Sequence, residues 1–425
     1  MLPGVRFAAR VVILLSAFVG IAARVACAQG AAISLSDAMD LAMANNPSLK
    51  AQRLNIDQGK ANEITAGLRP NPIFASSNED FPFFSPAYLS VNNLATNQEF
   101  NQNVTYLFER GGKRQKRVAV ARDATQVAAQ TFADQERQVR FEVAQAFIGA
   151  LLAKSNLDFA RQDLSDYSSV VEINQKRYEA GDISRGDFLK IELQKLQFQQ
   201  DVAAAELAFE QSRIGLRQLI GFNAVPENFT LVGTLEHQKR ILVLDELQKQ
   251  ALLNRPDYEA ARTGVALAQH TVSLAYADRA VDITGETEYK RNGPVNGWGF
   301  GLAVPIPVFN RNQGEIARSE VAVRQAQHQQ TAAREAVLTD VQNAYQTYRN
   351  SEQVLSLFEA GYLEQAQQSL EISRYAFQRG GASLLDLLDA ERSYRSTQVA
   401  YRQALAAYMT SLEQINFAVG TRVIP

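Results

Sequence analysis

From Val139 onward, apolar residues recur at alternating steps of four and three, through Val143, Ala146, Ala150 and Ala153 to Leu157, inside a proline-free stretch from Lys113 to about Ala180. That heptad rhythm predicts one long helix with a narrow coiled-coil seam. A second such stretch runs from Gln313 to about Arg379, with Val337, Val341, Ala344, Tyr348 and Leu355 in its seam. At 1.5 Å per residue, roughly 70 helical residues would make a rod on the order of 100 Å. After the glycine turns at Gly181 and Gly380-Gly381 the chain is expected to return, in the first case along Leu189, Leu193, Leu196, Ala203, Leu207 and Ile214. Elsewhere the period drops to two. Trp298 to Val304 puts large apolar groups on one face and small ones on the other, and Val281 to Thr284 alternates apolar with polar. Asn71 to Asp80 and Phe100 to Phe108 read the same way more weakly, with Phe100, Val104, Tyr106 and Phe108 on one side. Segments of about ten residues fit tilted membrane strands. Loops rich in Pro, Asn and Gly, Phe81 to Asn97 and Arg291 to Asn296, separate the members of each pair.

The pattern is written twice. Leu35, Ala42, Asn45 and Pro47 are answered in register by Leu244, Ala251, Asn254 and Pro256. At a slightly shorter offset Gly181, Ser184, Asp187, Leu189, Glu192 and Gly221 are answered by Gly380, Ser383, Asp386, Leu388, Glu391 and Gly420. Each half should therefore carry the same order of elements: helix, helix beginning at proline, two strands, long helix, returning helix. Residues 29–233 are assigned to the first repeat and 234–425 to the second.

Composition narrows the setting. The 425 residues carry 43 Lys and Arg against 45 Asp and Glu, so no global charge draws the chain to nucleic acid. Residues 1–28 read as an export signal, with Arg6 and Arg10 before the apolar run Val11 to Ala23 and a small-residue cleavage site at Ala26-Cys27-Ala28. Cleavage after Ala28 would remove Cys27, the single cysteine, leaving a thiol-free protein suited to an oxidising compartment. Acylation of Cys27 is the rival reading, opposed by Arg24, which stands where an aliphatic residue is wanted. The stripes alone would suit a plain periplasmic coiled coil. The strands argue otherwise, because lipid cannot satisfy an open strand edge and four strands cannot enclose anything. Two copies would give eight strands and a barrel filled by side chains; three give twelve and room for a passage.

Together with the repeat, residues 33–421 resemble the TolC family of outer-membrane efflux proteins, most tellingly in RYEAGDISRGDFLK from Arg177 and AFQRGGASLLDLLDAERSY from Ala376. The strand-to-helix junctions YLFERGGKR from Tyr106 and PIPVFNRNQGEI from Pro305 are similar to the heavy-metal subgroup typified by CzcC. The resemblance implies a mainly α protein with a small membrane β part: a trimeric 12-stranded β-barrel, four strands per chain, continued by an α-helical barrel of long helix hairpins through the periplasm. It implies a passive exit duct of a tripartite efflux system, with a periplasmic adaptor and an inner-membrane pump of RND type as partners, metal cations as one cargo, and no catalysis or cofactor. A polypeptide-secretion duct and a pore-less periplasmic scaffold are the alternatives.

Gly181 and Gly380 should end helices in a left-handed conformation, and Ser184 and Ser383 should cap the next; in the family these turns face the adaptor. Asp386 and Asp389, three apart on one helix face, are ordinary helix-start carboxylates on one reading. By resemblance they line the tunnel mouth, with Asp187 as the first-half equivalent of Asp386. Ala382 stands where a basic latch residue can occur, leaving Arg185 or Arg379 as substitutes. Arg110, Lys113 and Arg114 belong to a basic run at a strand-to-helix junction, placed to meet lipid phosphates or simply to start a solvated helix. Trp298 is assigned either to an interfacial aromatic girdle or to ordinary packing. His237, His270 and His328 have no ligand partner at motif spacing, so no metal site is expected.

Overall fold

The computed structural model describes residues 32–79, 90–91 and 98–424. The export-signal segment with Cys27, and most of the expected loop Phe81 to Asn97, lie outside them. The elements run β1 (Ala32–Ile33), α1 (Leu35–Asn45), α2 (Pro47–Gly67), β2 (Ile73–Glu79), β3 (Glu99–Phe108), α3 (Lys113–Glu179) and α4 (Arg185–Ile220). The order then repeats: β4 (Thr230–Leu231), α5 (Leu244–Asn254), α6 (Pro256–Asp278), β5 (Ile283–Asn292), β6 (Val295–Ala303), α7 (Gln313–Leu357), α8 (Leu363–Gln378) and α9 (Leu384–Val419). The two short strands pair in parallel, Ala32 with Thr230 and Ile33 with Leu231.

Local chemistry sets the helix starts. Ser34 and Asp37 close a capping box on α1. The buried Asn46 accepts from the N–H groups of Ser48 (2.9 Å) and Leu49 (3.2 Å), so it caps α2, whose first residue is Pro47. At the matched place in the second half the buried Arg255 reaches Asp340 at 2.7 Å.

Contacts divide the chain into two units, and each draws on both repeats. One comprises the described part of Met1–Lys50 with Gln135–Arg255 and Val337–Pro425; the other comprises Ala51–Asp134 with Pro256–Ala336. In the first unit Val139, Val143, Ala150 and Leu157 of α3, and Val337, Val341, Ala344, Tyr348 and Leu355 of α7, are buried as the rhythm predicts. Three expectations are corrected. The stripe Leu189, Leu193, Leu196, Ala203, Leu207 and Ile214 on α4 lies exposed in the single chain, Leu193 at 68%, while Ile191, Phe198, Leu216 and Ile220 are buried instead. The second long helix is not continuous: it loosens into a π turn at Phe358–Tyr362, where Gly361 takes φ 118°. A Cβ at Gly361 would meet no backbone, so the glycine serves the conformation rather than a close approach. Third, the expected loop Arg291 to Asn296 is mostly strand, and β5 and β6 turn through Gly293 and Pro294 alone.

The second unit holds one antiparallel sheet of order β2-β3-β5-β6, so the halves join across β3 and β5. Register sorts its faces, since residues directly opposite one another share a side. Phe74, Val104, Tyr289, Trp298 and Phe300 fall on one face; Ser77, Glu99, Asn101, Asn103, Glu286, Glu288 and Lys290 fall on the other. On the polar face Lys290 meets Glu99 at 2.9 Å, Asn103 donates to Glu286 at 2.8 Å, and Asn101 donates to Glu288. Among the described residues β2 and β6 each pair on one side only, which leaves two open edges. No helix there is long and apolar enough to cross a membrane.

Candidate functional site

Each helix hairpin turns on a left-handed glycine. After α3, Gly181 takes φ 84° and the Asp182 N–H returns to the Arg177 carbonyl at 2.8 Å; after α8, Gly380 takes φ 76° and the Gly381 N–H returns to Ala376 at 2.8 Å. Serine then starts the next helix. Ser184 accepts from the Asp187 N–H at 3.1 Å, and Ser383 accepts from the Asp386 N–H at 3.2 Å while Asp386 accepts in return from the Ser383 N–H at 3.0 Å. Exposed apolar and aromatic groups flank the turns: Leu385, Ile372 and Tyr375 on one hairpin, Leu189 and Leu193 on the other. The Tyr178 and Phe188 rings stack at 5.3 Å.

The three acidic candidates are thus already engaged. Hydrogen bonds from Ser383 hold the Asp386 carboxyl below the usual carboxylate range, and those from Ser184 and then Lys190 do the same for Asp187. Asp389 meets Arg392 at 2.7 Å with both side chains well exposed, a weakly held pair. Ala382 packs against the apolar cluster of Tyr167, Phe198 and Phe377. Neither Arg185 nor Arg379 meets a carboxylate among the described residues; the Arg379 guanidinium lies over the Tyr375 ring.

Behind the turns sits a network that sequence reading missed. Arg395 of α9 meets Asp163 of α3 at 2.6 Å, pairs with Asp201 of α4, and lies 4.3 Å over the Phe198 ring. Glu391, also buried, meets Arg374 of α8 at 2.8 Å. Burial pushes the Asp163 carboxyl up to about 6 against the pull of Arg395. The sequence signal was faint: Asp163 keeps helical spacing to Tyr167, yet its partner Arg395 stands far along the chain.

At the first strand-to-helix junction the basic run splits. Lys113 is no surface group: its side chain is 10% exposed and meets Asp282 at 2.7 Å. Burial pushes the Asp282 carboxyl up, but Lys113 and the Arg110 N–H outweigh it and hold it low. Arg117 is bound bidentately to Glu109, and Lys116 donates to the Ser273 carbonyl at 3.0 Å. Arg110 and Arg114 have no carboxylate partner among the described residues. Trp298 is 70% exposed on the apolar face of the sheet, its ring 5.5 Å from that of Tyr289.

Two histidines gain partners that spacing could not reveal, because each is distant in sequence: His237 meets Glu359 at 2.9 Å, and His270 meets Asp123. Among the described residues no group of three His, Cys, Asp or Glu is placed to hold a metal ion.

The family model described as "Outer membrane efflux protein" matches residues 38–222 and 247–421. The cobalt-zinc-cadmium resistance protein CzcC of Cupriavidus metallidurans is 24% identical over 394 residues, spanning 91% of this chain and 90% of its own. The alkaline protease secretion protein AprF of Pseudomonas aeruginosa is 21% identical over 92% of this chain and 85% of its own. Among solved structures, one of CusC, described in terms of the conformational changes accompanying folding and transmembrane channel formation, superposes with a TM-score of 0.76 at 19% identity, covering 91% of this chain and 92% of that one.

Proposed function

This chain belongs to the outer membrane efflux protein family, and from that premise we propose that it is the exit duct of a tripartite efflux system, three copies sharing one passage. It is an outer-membrane efflux channel with the mainly α fold and small β part of that family. The observation that carries the trimeric duct is the sheet: four strands with two open edges, a largely apolar face suited to lipid and a polar face suited to water, cannot seal themselves. The exposed stripe on α4 supports the same reading, since Leu189, Leu193 and Leu207 need apolar cover and a symmetric copy supplies it.

In this reading the turns around Gly181, Ser184, Gly380 and Ser383 receive the hairpins of a periplasmic adaptor, which links the duct to an inner-membrane pump of RND type. Asp187, Asp386 and Asp389 of three chains surround the mouth and favour cations. Arg110, Arg114 and Trp298 meet membrane lipid; Lys113 is assigned to structure instead. The likeness in sequence to the cobalt-zinc-cadmium resistance protein CzcC and to the cation efflux system protein CusC supports metal cations as cargo. The likeness to AprF, over as much of the chain, keeps a polypeptide cargo as the second reading.

The test is purification in detergent, mass determination and single-channel recording. A trimer with cation-selective current supports the duct; a monomer that stays soluble without detergent and passes no current overturns it.

A further inference from the structure

Both strand-to-helix junctions of the second unit are built alike. At the first, Arg69 just beyond α2 and Arg114 in the first turn of α3 line a hollow of about 300 Å³ that also contains Tyr106, Phe108 and Glu109. Tyr106 and Phe108, their rings edge to face at 4.8 Å, belong to the apolar face of the sheet. Glu109 is taken by Arg117, so Arg69 and Arg114 face the hollow with no carboxylate partner among the described residues. At the second, Arg279 beyond α6 and Arg311 before α7 line a hollow of about 430 Å³ beside Ile306 and Phe309, which is 90% exposed. There the Arg311 guanidinium donates to the Pro307 carbonyl at 3.2 Å, and Asp278 adds a negative charge, making this the weaker of the two.

Two arginines at the edge of an apolar surface suit one kind of molecule. A guanidinium offers paired N–H donors to a phosphate, and the adjoining rings and aliphatic groups offer cover to an acyl chain. Inorganic phosphate would use the arginines and leave Phe108, Ile306 and Phe309 bare to water. A zwitterionic headgroup would bring its own cation against the guanidinium groups.

We propose that the two junctions are seats for the headgroup phosphate of an anionic phospholipid such as phosphatidylglycerol, Arg69 and Arg114 forming the tighter seat and Arg279 and Arg311 the weaker. The proposal rests on the outer-membrane reading above and adds the class of lipid. The seats fix the depth at which each chain's sheet lies in the bilayer, since they occur where strand gives way to helix.

The full chain, reconstituted in vesicles of equal phosphatidylglycerol and phosphatidylcholine and re-extracted, is assayed for retained lipid by mass spectrometry. Wild type is expected to enrich phosphatidylglycerol, and R69Q/R114Q to lose that enrichment by about five-fold per arginine. R279Q/R311Q should lose less. R122Q, an exposed arginine on α3 paired with Glu63, should lose nothing. Equal retention of both lipids by wild type, or unchanged enrichment in R69Q/R114Q, overturns the proposal. Complete loss of enrichment in excess inorganic phosphate also overturns it, by assigning the seats to soluble phosphate. Single-channel current in pure phosphatidylcholine bilayers separates the two failures: current without lipid discrimination leaves the duct standing, and no current removes the duct itself.

Discussion

Helices α7 and α4 carry the same heptad rhythm and spend it in opposite ways. On α7, Val337, Val341, Ala344 and Tyr348 are buried within the single chain. On α4, Leu189, Leu193, Leu196, Leu207 and Ile214 stay exposed, although the helix buries a different set of apolar residues one step around. A helix with one covered stripe and one bare stripe is half of an interface. The contrast teaches that a single chain completes its own packing on one side of α4 and leaves the other bare, the side that a symmetric copy covers in the proposed trimer.

The largest effect should come from breaking the covered stripe. Val341→Asp buries an unpaired charge and is expected to cost about 4 kcal/mol or more, abolishing cooperative unfolding in urea. Leu193→Asp sharpens the contrast: helix content should hold, with stability within about 0.5 kcal/mol for the isolated chain, while the trimer dissociates in detergent by mass. A trimer that survives Leu193→Asp would remove α4 from the interface.

The interrupted helix gives the next effect. Gly361→Ala meets no clash, yet its backbone lies where L residues are strained, so a loss of about 1–2 kcal/mol is expected from denaturant midpoints. Ser383→Ala removes the cap of α9 and should cost about 1 kcal/mol, measured the same way.

The last expected effect is a change of pH profile rather than a loss of stability at one pH. Asp163 binds its proton more tightly folded, at about 6, than unfolded, at 3.8. The folded state therefore holds more protons between those values, and this group alone makes stability fall as pH rises through that window, then level off. Asp163→Asn should flatten urea midpoints between pH 4.5 and about 6, and an unchanged profile would show that Arg395 and Asp201 already compensate the burial. Glu109 is held low by Arg117, and Asp282 by Lys113 despite its burial; they act in the opposite sense, their contribution being lost as pH falls from the ordinary carboxylate values, 4.5 and 3.8, toward the lower folded ones, at the foot of this window and beneath it.

Much of the fold was legible because its periods are long. The repeat, the glycine turns with their serine caps, and the seams of α3 and α7 follow from spacing along one element, which sequence reports directly. The strand pair β5 and β6 was read too short, since Arg291 and Asn292 look like loop residues until their partners Asn296 and Val295 are known.

What the sequence by itself determined is the order of elements, their doubling, the helix caps and the two apolar periods, because each depends on neighbours within a few residues or on a copied pattern. What only the tertiary structure decided is which side of each element faces what. It put Lys113 on Asp282 rather than on the surface, joined Asp163, Asp201 and Arg395 from three helices, and left the α4 stripe uncovered. Those outcomes depend on contacts between residues far apart in the chain, where charge complementarity and close packing select among faces that periodicity leaves equivalent.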